Sequence, residues 1–66
     1  MKVVINGEAR DIAAAENVAE LIGALGLPAP AMLVEHNGTA LRRDEWKTRT
    51  LADGDRIEVV RIVAGG

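Results

Sequence analysis

"AENVAELIGALGL", residues 15–27, is where the hydrophobic period of this chain changes. Val18, Leu21, Ile22 and Leu25 fall at i, i+3, i+4 and i+7, one stripe of an amphipathic helix. Asn17 with Glu20 three residues later fits a capping box, in which the Asn side chain accepts from an orphan helix N–H. Gly26 sits where a C′ glycine in the left-handed region ends a helix, and Pro28 and Pro30 bar its continuation. No other stretch reads as a full helix. One helix covers only one face of a sheet, so the chain is expected to be an α+β domain of two layers.

The flanks read as strands. "KVVIN" (2–6) puts β-branched residues in series and ends in Asn6-Gly7, a dipeptide suited to a type I′ hairpin turn. A return strand is expected over about residues 8–12, with Met1, Val3 and Ile5 pointing inward by period two. "AMLVEHNG" (31–38) reads as a third strand closing in a second Asn-Gly turn, followed by a short strand at residues 39–41. "RRDEWKTRT" (42–50) is polar and irregular, with one short helical turn at most. Asp53-Gly54-Asp55 makes a turn into a last strand over about residues 56–63. Hairpins outside, with first and last strands paired in the middle, would bury Val3, Ile5, Ile57 and Val59 against the helix stripe. That is the β-grasp, or ubiquitin-like, arrangement: a mixed sheet of four to five strands with one helix across one face. Residues 1–63 are assigned to the domain and 64–66 to a flexible Ala-Gly-Gly tail.

At 66 residues the chain is near the lower limit for folding unaided, and it has no cysteine for a disulfide or a thiolate zinc site. Its 48% hydrophobic content, almost all aliphatic, must therefore supply the core. Trp46 is the single aromatic, so there is no stacking platform for single-stranded nucleic acid. A net charge of −2 argues against nucleic-acid or anionic-membrane partners and favours basic protein partners. The N-terminal apolar run is too short for a signal peptide, and no stretch approaches a membrane span. A cytoplasmic protein, monomeric when free, is the expectation.

No side-chain chemistry stands out. His36, the only histidine, reads as a solvated strand-end residue. Asp53 and Asp55 lack the rest of a calcium loop, and turn chemistry accounts for them. No glycine opens the helix to cradle a phosphate. Arg42, Arg43, Asp44 and Glu45 read as a solvated face. Trp46 reads as a lid on the core edge, with an interface role as the second reading. If the protein takes part in a reaction, the reactive group is expected to be backbone.

The end of the sequence, "VVRIVAGG" (59–66), supplies one. At average glycine usage two terminal glycines arise by chance in roughly 0.5% of chains, which weighs against a merely frayed end. A Gly-Gly segment passes through a slot only as wide as a bare backbone. Extended from Ile62 to Gly66, the chain would reach about 16 Å. The terminal carboxylate is ionised at neutral pH, a nucleophile toward the α-phosphate of ATP but a poor acyl donor until it becomes an anhydride. Arg56, Glu58, Val60 and Ile62 share the strand's outer face. Val60 and Ile62 are then either a docking patch beside the reactive end or aliphatics covered by Trp46 or the irregular segment.

With that order of elements and that tail, the chain resembles the ThiS family, the sulfur carriers of thiamine thiazole synthesis. The likeness rests on chain length, on Asn37-Gly38-Thr39-Ala40-Leu41 with Arg43 and Trp46 following, on Leu51-Ala52-Asp53-Gly54-Asp55, and on Gly65-Gly66. The resemblance implies a cycle on the Gly66 carboxylate. An E1-like, ThiF-type adenylyltransferase would form the acyl-adenylate with ATP and Mg²⁺, neither of them bound by this chain. A cysteine-derived persulfide, from a donor such as a cysteine desulfurase, would lead to a thiocarboxylate. A ThiG-type thiazole synthase would take the sulfur. Gly65 would give clearance, and Val60, Ile62, Val63 and Ala64 would contact the enzymes. The chain itself would be no enzyme. The small subunit of molybdopterin synthase is the nearest competitor, but that family tends to be longer, with prolines where this chain has Val60-Arg61-Ile62-Val63. A ubiquitin-like interaction module with an inert tail and a protein modifier joined to lysines are the remaining alternatives.

Overall fold

A computed structural model describes residues 1–13 and 15–63, so Ala64, Gly65 and Gly66 lie outside the described residues. Strand β1 (Lys2–Ile5) turns at Asn6-Gly7 into β2 (Glu8–Asp11). Both turn residues hold positive φ, 50° and 82°, as a type I′ connection demands. Helix α1 (Val18–Ala24) follows, then a 3₁₀ turn (Ala29–Ala31) leading into β3 (Met32–His36). Asn37-Gly38 repeats the turn geometry, with φ of 50° and 85°, and delivers β4 (Thr39–Ala40). A second 3₁₀ turn (Arg43–Glu45) precedes β5 (Arg56–Arg61).

The five strands form one mixed sheet in the order β2-β1-β5-β3-β4. The central pair, β1 and β5, runs parallel with Ile5 opposite Ile57, and β3 runs antiparallel to β5 with Val34 opposite Val59. This is the β-grasp expected from the order of periods. The strands end a residue or two sooner than the sequence suggested: β2 stops at Asp11, β4 at Ala40 and β5 at Arg61.

The short helix is held at both ends. Asn17 Oδ1 accepts from the Glu20 N–H at 2.8 Å, the arm of the box that was expected. The reciprocal arm differs: Glu20 Oε1 accepts from the Glu16 N–H at 2.9 Å. The first two helical N–H groups donate instead across the fold, Val18 to the Arg49 carbonyl and Ala19 to the Trp46 carbonyl, both at 3.1 Å. Three donors that a helix start leaves orphaned are thus satisfied. At the other end Gly26 has φ 70°, its N–H meets the Gly23 carbonyl, and the Leu27 N–H meets the Ile22 carbonyl, a Schellman closure.

Val18, Leu21 and Ile22 are wholly buried and share one core with Val3, Ile5, Val34, Ile57 and Val59. Burying a side chain such as Leu21 or Ile22 stabilises by about 1.5–3 kcal/mol. Leu25, last in the stripe, is partly buried against this core. Met1 does not join it. It precedes the first paired residue of β1 and is 44% exposed, so period-two alternation was extended one residue too far. Trp46 goes deeper than a lid: it is a core residue, 4% exposed, and its indole N–H finds no acceptor among the described residues.

Candidate functional site

The last strand changes character midway. Ile57 and Val59 point into the core, whereas Val60, Ile62 and Val63 are 58%, 45% and 82% exposed. On the β1 side, backbone pairing reaches Ile57, where the Asn6 N–H donates to the Ile57 carbonyl at 2.9 Å. There the main chain of β1 turns away and the Asn6 side chain takes over. Its Oδ1 accepts from the Val59 N–H at 2.8 Å and its Nδ2 donates to the Val59 carbonyl at 3.2 Å. Asn6 therefore serves as turn residue and as lateral clamp on β5. Among the described residues, backbone partners past Val59 lie only on the β3 side. Leu33 pairs with Val60, Met32 pairs with Arg61, and the Ile62 N–H donates to the Ala31 carbonyl at 2.6 Å.

Among the described residues, neither Trp46 nor the irregular segment covers Val60 and Ile62. Trp46 lies in the core with the inward residues, and among the described residues Leu33, Val60 and Ile62 are exposed. Val60 has a companion the sequence reading passed over: Leu33, directly opposite and 55% exposed. The alternation of β3, with Met32, Val34 and His36 inward, would have disclosed it. Leu33, Val60, Ala40 and Leu41 line a shallow groove. Glu35 and Glu58 stand opposite one another along it, a like-charge pair of the kind that weakens a sheet. Val63 extends the apolar surface, while Ala64, Gly65 and Gly66 fall outside the described residues.

The polar residues set aside earlier turn out to be structural. His36 is not solvated. It is 8% exposed, with Nε2 2.7 Å from Asp55 Oδ2. Inward alternation on β3 carries it under the 52–55 turn, something a reading confined to its Asn-Gly neighbour did not detect. Asp55 also accepts from the Ala52 N–H at 2.8 Å and from Asn37 Nδ2 at 3.1 Å. Burial alone would raise the Asp55 carboxyl pKa. The hydrogen bonds from His36, Ala52 and Asn37, with the charge of His36, outweigh burial and hold it below the ordinary value. Asp53 Oδ1 accepts from the Lys2 N–H at 2.7 Å, tying the same turn to β1. Among the described residues no three His, Cys, Asp or Glu side chains converge as a metal site would require. No helix among them is long and apolar enough to cross a membrane.

A mixed five-stranded sheet grasping one helix, with a last strand that leaves the sheet paired on one side only, defines a ubiquitin-like β-grasp domain. The model of the ThiS family matches residues 3–66, and the chain belongs to that family. It is 36% identical over 66 residues to a thiazole synthase of Paramagnetospirillum magneticum and 32% identical to one of Magnetococcus marinus. It spans all of its own length in both matches but only 20% of those proteins. It is 29% identical to the sulfur carrier protein ThiS of Escherichia coli, with both chains covered in full. The crystal structure of the thiamine biosynthesis protein ThiS from Geobacter metallireducens superposes with a TM-score of 0.86 at 36% identity, covering 100% of both chains.

Proposed function

We propose that this protein is a sulfur carrier of thiamine biosynthesis, loaded at the Gly66 carboxylate. The observation that carries the reading is the end of β5 in a chain of this family: an exposed apolar run, Val60, Ile62 and Val63, leading directly into Ala64-Gly65-Gly66. The full-length match to a relative named as a sulfur carrier supports it.

In this reading a carboxylate oxygen of Gly66 attacks the α-phosphate of ATP on an E1-like adenylyltransferase, and pyrophosphate leaves. The acyl-adenylate is the anhydride that makes the carbonyl carbon electrophilic. The terminal sulfur of a persulfide then attacks that carbon, and AMP departs. A second thiol cleaves the resulting acyl disulfide, leaving the thiocarboxylate on Gly66 and a disulfide on the donor. ATP and Mg²⁺ belong to the adenylating enzyme. The chain provides recognition through Val60, Ile62, Val63 and Ala64, and clearance through Gly65, which has no Cβ to obstruct a narrow slot. Thiazole synthase is the acceptor. Two relatives of that name contain a segment matching all 66 residues, which supports this assignment.

Intact-protein mass spectrometry on the chain from thiamine-starved cells tests the reading. The expected result is a species with one C-terminal oxygen replaced by sulfur, absent when Gly66 is deleted although the deletion variant still folds. If no such species forms, and purified adenylyltransferase catalyses no ATP–pyrophosphate exchange with the chain, the carrier reading fails and an inert interaction module replaces it.

A further inference from the structure

We infer that Arg43 is a positioning residue for Ile62 and Val63, the segment that leaves the last strand. It acts through the Pro30–Met32 segment. The Arg43 guanidinium lies over the Trp46 ring, 4.6 Å from its centroid. From there Nη2 donates to the Met32 carbonyl at 3.1 Å and to the Pro30 carbonyl at 3.4 Å. Those carbonyls flank Ala31, whose own carbonyl accepts from the Ile62 N–H at 2.6 Å, the last backbone bond of the C-terminal strand among the described residues. The indole beneath is a firm platform. Trp46 is buried, and its carbonyl caps the helix through the Ala19 N–H. A continuous line thus runs from the start of α1 through Trp46 and Arg43 to residues 30–32, and from there to Ile62.

The line matters because of what β5 lacks. Past Val59 its backbone partners among the described residues lie on the β3 side alone, so the direction in which Ile62 and Val63 leave the sheet depends on where Ala31 is held. Residues 30 and 31 precede β3, within a 3₁₀ turn with no side-chain cap of its own. Arg43 supplies the missing brace. Its planar group stacks on the ring while one nitrogen donates to two carbonyls, a combination an ammonium does not reproduce. Arg43 itself is exposed, so removing its side chain opens no hole in the core.

Two measurements on Arg43→Ala and Arg43→Lys test this, the second resting on the carrier reading above. In native-state amide exchange, Arg43→Ala should speed exchange at Ile62 by about tenfold, the order expected for losing charge-assisted bonds, with Val34 and Ile57 unchanged. In ATP–pyrophosphate exchange with the adenylyltransferase, the same variant should lose about tenfold in kcat with KM within about twofold, because docking persists and only the direction of Ile62 and Val63 is lost. Arg43→Lys should fall between wild type and Arg43→Ala in both. Unchanged Ile62 exchange overturns the proposal, as does uniform acceleration of all amides. A raised KM at constant kcat also overturns it, by making Arg43 a direct enzyme contact. A wild-type chain that is never adenylated sinks the carrier reading alone, and the Ile62 exchange then still decides on the brace.

Discussion

The two halves of β5 differ more from each other than either does from its neighbours. From Arg56 to Val59 the strand is central, held by β1 or the Asn6 side chain on one side and by β3 on the other, with Ile57 and Val59 in the core. From Val60 onward it is paired on one side and its aliphatic side chains face solvent. The same residue types do opposite things within one short strand. An apolar residue at the tightly held end adds stability, whereas one at the free end lies open to solvent at little consequence for folding, which is why the proposed carrier function assigns recognition to it.

Substitutions can break that contrast. Ile57→Ala should have the largest effect, about 2–5 kcal/mol of lost stability, because Ile57 is wholly buried. A domain of this size has about 3–10 kcal/mol in all, so the urea unfolding midpoint should fall by a large fraction of its wild-type value. Asn6→Ala comes next, at about 2 kcal/mol, since it removes the partner of both polar groups of Val59 and puts alanine, which tolerates the left-handed region less well than asparagine, at φ 50°. Asn6→Gly should recover the turn's share of that loss but not the clamp's. If both variants match wild type in denaturant, the side-chain clamp is not what joins the two halves.

Acid sharpens the tightly held side. Because the Asp55 pKa is lowered on folding, its contribution is fully present above the ordinary value of 3.8 and is lost as pH falls through the depressed folded value. Wild type should therefore weaken steeply below about pH 4, whereas Asp55→Asn, less stable at neutral pH, should show a flatter acid limb. Equal slopes for the two proteins in urea titrations at stepped pH would remove Asp55 from the account. The smallest stability effect belongs to Val60→Ser, within about 0.5 kcal/mol of wild type. Its effect should appear instead as a raised KM in the adenylation assay. A Val60→Ser protein that is markedly destabilised, yet adenylated normally, would reverse the assignment of the two halves.

Much of the fold was legible because its signals are local. The helix stripe, the Asn17 cap, the Gly26 closure and both Asn-Gly turns each depend on residues within a few positions of one another. The same alternation rule that put Ile57 inside put Val60 outside. His36 and Trp46 were misjudged, and the bonds of the exposed Arg43 went unseen, for the opposite reason. Each takes its role from a partner distant in sequence: His36 from Asp55, Trp46 from the helix core, and Arg43 from the carbonyls of Pro30 and Met32. Short-range polarity made all three look solvated or marginal.

The sequence by itself thus determined the periods, the turns and hence the order of elements, since those follow from φ/ψ preferences and from which side chains water rejects. It also supplied Gly65-Gly66, on which the proposed function rests. Tertiary structure alone decided how Ile62 and Val63 leave the sheet. The direction depends on Asn6 clamping Val59 and on Arg43 bracing residues 30–32. Neither contact has a local signature, because packing brings together groups the chain itself holds far apart.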